Sequence, residues 1–273
     1  MPVPAASGCW PCARPGTART EPPTGERCTP ATMAELDLPA GPTQLLEAVR
    51  RPLADHLGGE RHIRLGGGTA LAARWAHRHS TDVDLFVGDD AYARLYRNSY
   101  QFTDDIEGHC GTVEQLGVGP GYTIIALPDG EITVLATRSL TDQPVSRDTV
   151  RGTRIGIEST AEILAKKLTH RLATYHIFVP RDLYDIAVAR RLDPEALNTA
   201  LATIPPPSLD DVRHALALLP SSWAARHRKP LLQPAHAQDA TDSVAIVQSV
   251  IERYLADRNP PTPHRGTLPS RGR

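Results

Sequence analysis

Two acidic residues, Asp82 and Asp84, stand one residue apart at the head of the apolar run VDLFV, and a glycine triplet, Gly66-Gly67-Gly68, lies upstream in LGGGTAL. On a strand, residues i and i+2 point to one side, so both carboxylates project together while Val83 and Leu85 enter a core. Paired carboxylates repel unless a cation neutralises them. Hard oxygen ligands suit Mg²⁺, which binds through one or two carboxylates plus substrate phosphates. Gly66 ends a strand and Gly67-Gly68 turns into a helix, whose unpaired N–H groups and positive end can hold an anion. A P-loop is excluded, because Gly68 is followed by Thr-Ala-Leu and not by Lys and Ser/Thr. Leu71 occupies the place of the third glycine of a dinucleotide fingerprint. Each feature also has a plain reading: a tight strand-to-helix connection, and an edge strand with exposed acids. Together they form a site for a nucleoside triphosphate (NTP) and its metal. The chemistry is in-line displacement at phosphorus, with two Mg²⁺ ions clamping the attacking and leaving oxygens.

The elements that must position these groups follow from periodicity. Leu45, Leu46, Val49, Leu53 and Leu57 recur at helical spacing, with Pro52 set to kink or split that helix. A strand over His62–Leu65, a helix over Thr69–His77, a strand over Val83–Val87 and a polar helix over Asp89–Ser99 come next. Strand patterns then cover Gly111–Val118, Tyr122–Leu127 and Ile132–Ala136, with a hairpin turn at Pro128-Asp129-Gly130, and one more spans Arg154–Ile157. After Glu158 the pattern turns helical. Ser159 or Thr160 caps a helix with Glu162 in its first turn, and Leu164, Leu168 and Leu172 make its buried stripe. Further helices are expected at Leu183–Arg191, Pro194–Thr203, Leu209–Leu218 and Asp239–Ala256. The fold class is therefore α+β: a mixed-sheet core with flanking helices, then a helical C-terminal portion.

The chain has 273 residues, 40% of them hydrophobic, and a formal net charge of -1, so any polyanion site is a local patch. Its 25 prolines crowd the first 30 residues, the segment Ile204–Ser208 and the tail. These shifts divide the chain into a disordered extension (1–36), an α/β core (37–157), a helical region completing the active site (158–257) and a disordered tail (258–273). Order begins near Met33, so part of the extension need not belong to the native product. Neither a secretory signal nor an apolar run of about 18 residues is present, which points to the cytoplasm and away from a membrane. Cys9 and Cys12 form an isolated CxxC, and with Cys28 and Cys110 they make no disulfide framework.

Gly67-Gly68-Thr69-Ala70-Leu71, His77-Arg78-His79-Ser80 and Asp82-Val83-Asp84-Leu85-Phe86 resemble the AbiEii/AbiGii toxin family of nucleotidyltransferases, which also includes the MenT toxins. The glycine turn and D-x-D are similar to those of the wider DNA polymerase β-type superfamily. A second block continues the resemblance: Glu162-Ile163-Leu164-Ala165-Lys166-Lys167-Leu168, Arg171, and Arg181-Asp182-Leu183-Tyr184-Asp185. Residues about 60 to 190 are framed in this way. The resemblance implies the nucleotidyltransferase fold and transfer of a nucleoside monophosphate from an NTP to an acceptor, with pyrophosphate released. It implies the 3′ end of tRNA as acceptor and a cognate antitoxin as partner. It gives Asp82 and Asp84 to metal, Gly67, Gly68, Thr69, Arg78, Ser80, Lys167 and Arg171 to the nucleotide, and a catalytic part to Lys167 and Asp182.

The residues alone leave alternatives open. Lys167 and Arg171, i and i+4, reach the triphosphate or merely edge a solvated helix. Asp182 caps its helix or acts as base or orienting acid, and Asp185 pairs with Arg181 or Arg190. Leu183 and Tyr184 read as packing. Arg78 meets phosphate or braces Asp84, Ser80 orients the turn before Asp82, and His77-x-His79 lacks a third ligand for a transition metal. A third acid is missing where many polymerase β-type enzymes carry one: EITVLATR places Thr133 and Leu135 there, with Glu131 at its edge. Asp182 supplies that acid, or the metal alone activates the nucleophile. Two rival functions remain, the same fold modifying a small molecule or protein, and a non-catalytic member that binds nucleotide or a partner.

Overall fold

The β-branched and leucine-rich runs between Ile63 and Ile157 supply the centre of one mixed sheet, which a computed structural model describes within residues 34–258. The N-terminal extension through residue 33, with Cys9, Cys12, Cys28 and Met33, and the tail from residue 259 lie outside the described residues. The elements are β1 (Glu35–Leu36), α1 (Ala40–Leu57), β2 (Ile63–Leu65), α2 (Gly67–Trp75), β3 (Val83–Val87), α3 (Asp89–Arg97) and α4 (Ser99–Cys110). Then come β4 (Gln115–Gly119), β5 (Tyr122–Leu127), β6 (Gly130–Ala136), β7 (Val145–Val150) and β8 (Gly156–Glu158). The helical portion comprises α5 (Thr160–Lys166), a π-helical turn (Lys167–Thr174), α6 (Pro180–Leu192), α7 (Pro194–Ala202), α8 (Pro206–Ala217), α9 (Trp223–Arg226), α10 (Ala237–Thr241) and α11 (Ser243–Arg258). The α+β class and the helical C-terminal portion are as the patterning predicts.

The eight strands run β1-β7-β8-β2-β3-β6-β5-β4. β3 lies at the centre, antiparallel to β2 and parallel to β6, with Val83 opposite Ile132 and Asp84 opposite Thr133. Val83, Leu85, Ile132 and Val134 are fully buried, so one side of these strands is core and the other carries the acids. α1 packs on β3 and β6 and against α3 and α4, while α2 packs on β3 and against α6. The C-terminal helices close on one another through the pairs α5–α7, α6–α11 and α8–α11.

Several expectations need correction. Residues 35–36, assigned to the extension, pair with β7 in parallel. Strand β7 and helix α4 were not foreseen, and the expected helix over 239–256 is interrupted at Asp242 between α10 and α11. Pro52 neither splits nor ends α1. Proline cannot donate to the carbonyl four residues back. The thiol of Cys110, at the end of α4, donates to that Ala48 carbonyl at 3.3 Å, so the packing of α4 on α1 satisfies the group that Pro52 leaves unpaired.

The junction between the sheet and the helical portion follows from its capping chemistry. Ser159 Oγ accepts from the Glu162 N–H at 3.2 Å, as an N-cap should. Glu162 does more than favour the helix dipole: its buried carboxylate accepts from the Leu140 and Thr141 N–H groups and from the Thr141 hydroxyl, tying the loop after β6 to α5. Leu164, Leu168 and Leu172 are buried, as their spacing predicts. The helix then widens into the π turn, a form that occurs mostly in short stretches and often at functional sites.

Candidate active site

The glycine turn is shaped by what presses on it. Gly67 has φ +61, a left-handed conformation that favours glycine, and a Cβ there would lie 2.0 Å from Asp84 Oδ2. A Cβ at Gly68 would lie 1.9 Å from a guanidinium nitrogen of Arg78, and one at Gly66 would strike Phe86 and Glu158. Side chains are thus excluded so that the start of α2 can lie directly against the D-x-D. The first-turn N–H groups of α2 have no intrahelical acceptor, and the turn at Gly67 lies against the Asp84 carboxylate. Thr69 fixes the other edge: its buried hydroxyl bonds to Ser80 Oγ at 2.7 Å and donates to the Asp82 carbonyl. The hydroxyls of Thr69 and Ser80 thus hold the approach to Asp82.

Behind this turn lies a buried ionic cluster. Arg78 forks onto Asp185, with Nε to Oδ1 at 2.7 Å and Nη2 to Oδ2 at 3.0 Å. His77 Nε2 lies 2.7 Å from the same carboxylate, and its ring stacks on Tyr184, whose hydroxyl donates to the His77 carbonyl at 2.9 Å. Lys167 bonds to Asp182 and sits 3.1 Å from Asp185, while Arg171 donates to Asp182 at 2.6 Å. Asp182 and Asp185 are fully buried. Burial alone would push both carboxyls up. Arg78 and Lys167 at Asp185, and Lys167 and Arg171 at Asp182, outweigh it and hold both below the usual carboxylate range.

These contacts revise several roles. Arg78 engages Asp185 and makes no hydrogen bond or ion pair with Asp84. Lys167 is buried, so the solvated-edge reading fails, and it sits in the π turn at a position that points both Lys167 and Arg171 toward Asp182. Asp182 does not cap α6 with its side chain, and Asp185 pairs with neither Arg181 nor Arg190. Asp182 is thus committed to two cations, Lys167 and Arg171. His77 is a cluster member, and among the described residues no group of three or more His, Cys, Asp or Glu forms a metal cage.

The D-x-D carboxylates line two cavities. Asp84, with Gly67, Lys167 and Arg171, borders one of about 120 Å³. Asp82, with Glu131, Arg181, Arg228 and Lys229, borders another of about 270 Å³. Asp82 accepts from Arg181 at 3.0 Å, and Lys229 Nζ lies 3.9 Å from Asp82 and 3.7 Å from Glu131. Glu131 thus stands beside Asp82 on the neighbouring strand. Arg228 and Lys229 escaped sequence reasoning because they belong to a proline-interrupted loop with no periodicity. That loop is bound alongside residues 77–79 by backbone hydrogen bonds from His79 N to Leu232 O and from Ala235 N to His77 O. Glu158 also escaped notice. It is fully buried, with Oε1 bonded to Lys166 at 2.6 Å and Oε2 without a partner, and burial pushes its carboxyl up to about 7 against the pull of Lys166.

A divalent cation fits the acidic face. Asp84 has no ion-pair partner among the described residues, whereas Asp82 already attracts two cationic side chains, so Asp84 presents uncompensated negative charge beside the start of α2. Two carboxylates are also the protein ligand set Mg²⁺ commonly takes when phosphates complete its shell.

The cluster makes a sharp stability prediction. Asp185→Ala leaves Arg78 and Lys167 buried and undercompensated, and should lower the unfolding free energy by about 3–5 kcal/mol in urea denaturation. Because the folded carboxyls of Asp182 and Asp185 lie below their unfolded values, their stabilisation is complete above about pH 4 and is lost as pH falls through the folded values. Acid unfolding should therefore be shallower in Asp185→Asn than in the parent. An unchanged acid limb would show that the cluster is not what acid disrupts.

Residues 45–205 match the model of a family described as the nucleotidyl transferase AbiEii toxin of type IV toxin–antitoxin systems. No curated protein matches the chain. Among solved structures, JHP933 from Helicobacter pylori is similar at 14% identity and a TM-score of 0.45, over 81% of this chain and 96% of that one. The antibiotic-resistance factor ANT(2″)-Ia, solved with adenylyl-2″-tobramycin, is similar at 14% identity and a TM-score of 0.32, over 77% of this chain and 96% of that one. Family membership rests on the sequence match and not on these distant structures. Since that match spans more than half of the 273 residues and contains the glycine turn, the D-x-D and the Lys167–Asp182–Asp185 block, the chain belongs to the AbiEii toxin family of nucleotidyltransferases.

Proposed function

We propose that this nucleotidyltransferase moves a nucleoside monophosphate from an NTP to the 3′ end of tRNA in the cytoplasm, in a Mg²⁺-dependent reaction that a cognate antitoxin opposes. The observation that carries this reading is the pairing of two cavities across the D-x-D. One holds the glycine turn, Lys167 and Arg171, the other a cationic lip of Arg181, Arg228 and Lys229. The first suits the triphosphate of a nucleotide, the second the phosphodiester chain of a nucleic-acid end. That local patch supplies what a net charge of -1 cannot.

In this reading the first-turn N–H groups at Gly67–Thr69 receive phosphate oxygens, and Arg171, the more exposed cation of the cluster, faces them from the π turn. Lys167 stays behind it, adding positive potential while fixed by Asp182 and Asp185. Asp82 and Asp84 would hold two Mg²⁺ ions, which when bound neutralise the charge developing at the transferred phosphorus and its leaving group. The acceptor hydroxyl oxygen bonds to the α-phosphorus as the α–β phosphoanhydride bond breaks and pyrophosphate leaves. Asp182 and Asp185 are committed to cations, and on the Asp82 side Glu131, part-exposed on the neighbouring strand, would take the hydroxyl proton.

Incubation with Mg²⁺, α-labelled NTPs and total tRNA tests the assignment. Label should appear at tRNA 3′ ends. Label on another molecule would move the acceptor class, and bound NTP without transfer in any extract would make the protein a binder. Asp82→Ala and Asp84→Ala should each abolish transfer while leaving thermal unfolding unchanged, since neither acid packs in the core; transfer at the parent rate in either variant contradicts the site.

The acceptor lip has its own signature. The double substitution Arg228→Ala/Lys229→Ala should raise the KM for tRNA, reduce its salt dependence and leave the KM for NTP unaltered. An equal rise in both constants would remove the lip from acceptor binding.

A further inference from the structure

The cavity beside Asp84 does not end at the phosphate-facing groups. Phe86 and Leu135 of the sheet, Ile163 of α5, Thr137 and Glu158 line it as well. Two polar atoms there, Glu158 Oε2 and Thr137 Oγ1, are buried and have no hydrogen-bond partner. Buried polar groups in folded proteins are nearly all paired, so two orphans on one small cavity require a reason. Leaving such groups unpaired is costly, and a folding role does not explain it.

Sheet register explains how Glu158 comes to border this cavity. Leu65 on β2 pairs with Leu85 on β3 and with Ile157 on β8. One step further, Asp84 and Glu158 therefore flank Gly66, and the Gly66 N–H donates to the Asp84 carbonyl at 2.9 Å. The missing side chain at Gly66 keeps the row open, since a Cβ there would meet Glu158 Oε2 at 2.6 Å and Phe86 at 2.5 Å. Lys166 holds the arrangement from above, with its ammonium bonded to Glu158 Oε1 and lying 3.7 Å over the Phe86 ring. One carboxylate oxygen is thus pinned and the other left bare.

The lining of the cavity is chemically mixed. Gly67, Lys167 and Arg171 are anion-seeking. Phe86, Leu135 and the unsatisfied oxygens suit a flat or compact group that carries a hydrogen-bond donor. A nucleotide carries both kinds of group: phosphates, and a nucleoside whose ribose hydroxyls and base amino groups donate. We propose that Glu158 Oε2 and Thr137 Oγ1 form a nucleoside-reading subsite that accepts a hydroxyl or amino donor of the bound NTP and so sets nucleotide selectivity. This inference rests on the nucleotidyltransferase reading of the site. It adds residues that lie outside the glycine turn, the D-x-D and the Lys167–Asp185 block.

The test is acceptor-free binding in Mg²⁺, measured by calorimetry for the four NTPs, their 2′-deoxy counterparts and inorganic tripolyphosphate, with the parent, Glu158→Gln and Thr137→Val. The parent should discriminate by about tenfold or more against nucleotides lacking the recognised donor, because a buried acceptor is then left unpaired. Glu158→Gln should flatten that discrimination while tripolyphosphate affinity stays as in the parent. Loss of the ribo-over-deoxy preference identifies a ribose hydroxyl, and loss of a base preference identifies an amino group. Unchanged selectivity in both variants overturns the proposal, as does an equal loss of NTP and tripolyphosphate affinity in both. If Glu158→Gln does not fold, Thr137→Val decides by the same criterion. A parent that binds neither NTP nor tripolyphosphate would instead overturn the nucleotidyltransferase reading beneath it.

Discussion

The two carboxylates of α6, Asp182 and Asp185, and the cations gathered on them hold the rest of the site in register. Arg78 comes from the segment before β3, Lys167 and Arg171 from the π turn, and all three converge on one helix face. Placing so many charges in the interior is costly, and it is tolerable only because each carboxylate meets at least two cationic groups at hydrogen-bond distance. The consequence is positional. Arg78 fills the space left by Gly68, Gly67 rests on Asp84, and Thr69 holds the Asp82 backbone, so the cluster sets the distance between glycine turn and D-x-D.

This arrangement accounts for the association of the helical portion with the sheet. The sheet alone presents Asp82, Asp84 and a helix start, all of which would be poorly fixed without α6 behind them. The helices contribute the cations, and the loop around residues 227–236 adds a second basic edge over Asp82 through its backbone bonds to residues 77–79. Glu158, Lys166 and Phe86 finish the cavity on the opposite side. The acidic pair thus lies between two chemically distinct approaches, as transfer between two substrates requires.

Much of this was legible in the residues. The strand at Val83–Val87, the turn at Gly67-Gly68, the Ser159 cap and the leucine stripe all follow from local periodicity and capping, and all occur. β7, VSRDTV, was missed because its paired position near the sheet edge imposes little hydrophobic alternation. α4 escaped for a similar reason: Phe102 and Ile106 are its fully buried residues, too sparse a stripe to show a period. The residues of the ionic cluster were recognised, but their partners were not. Arg78 and Asp185 lie 107 positions apart, and nothing local tells a buried ion pair from a phosphate-binding arginine. Glu158 and Lys229 were illegible too, since one depends on sheet register and the other on a loop that only tertiary packing brings to Asp82.

The central claim is that Asp82 and Asp84 present a divalent-cation site that a nucleotide completes. Mn²⁺ titration monitored by electron paramagnetic resonance, with a non-hydrolysable NTP analogue, addresses it without relying on turnover. The parent should bind Mn²⁺ tightly only when the analogue is present, and Asp82→Asn and Asp84→Asn should each weaken that binding by at least about tenfold. Mn²⁺ affinity equal to the parent's in both variants would contradict the account.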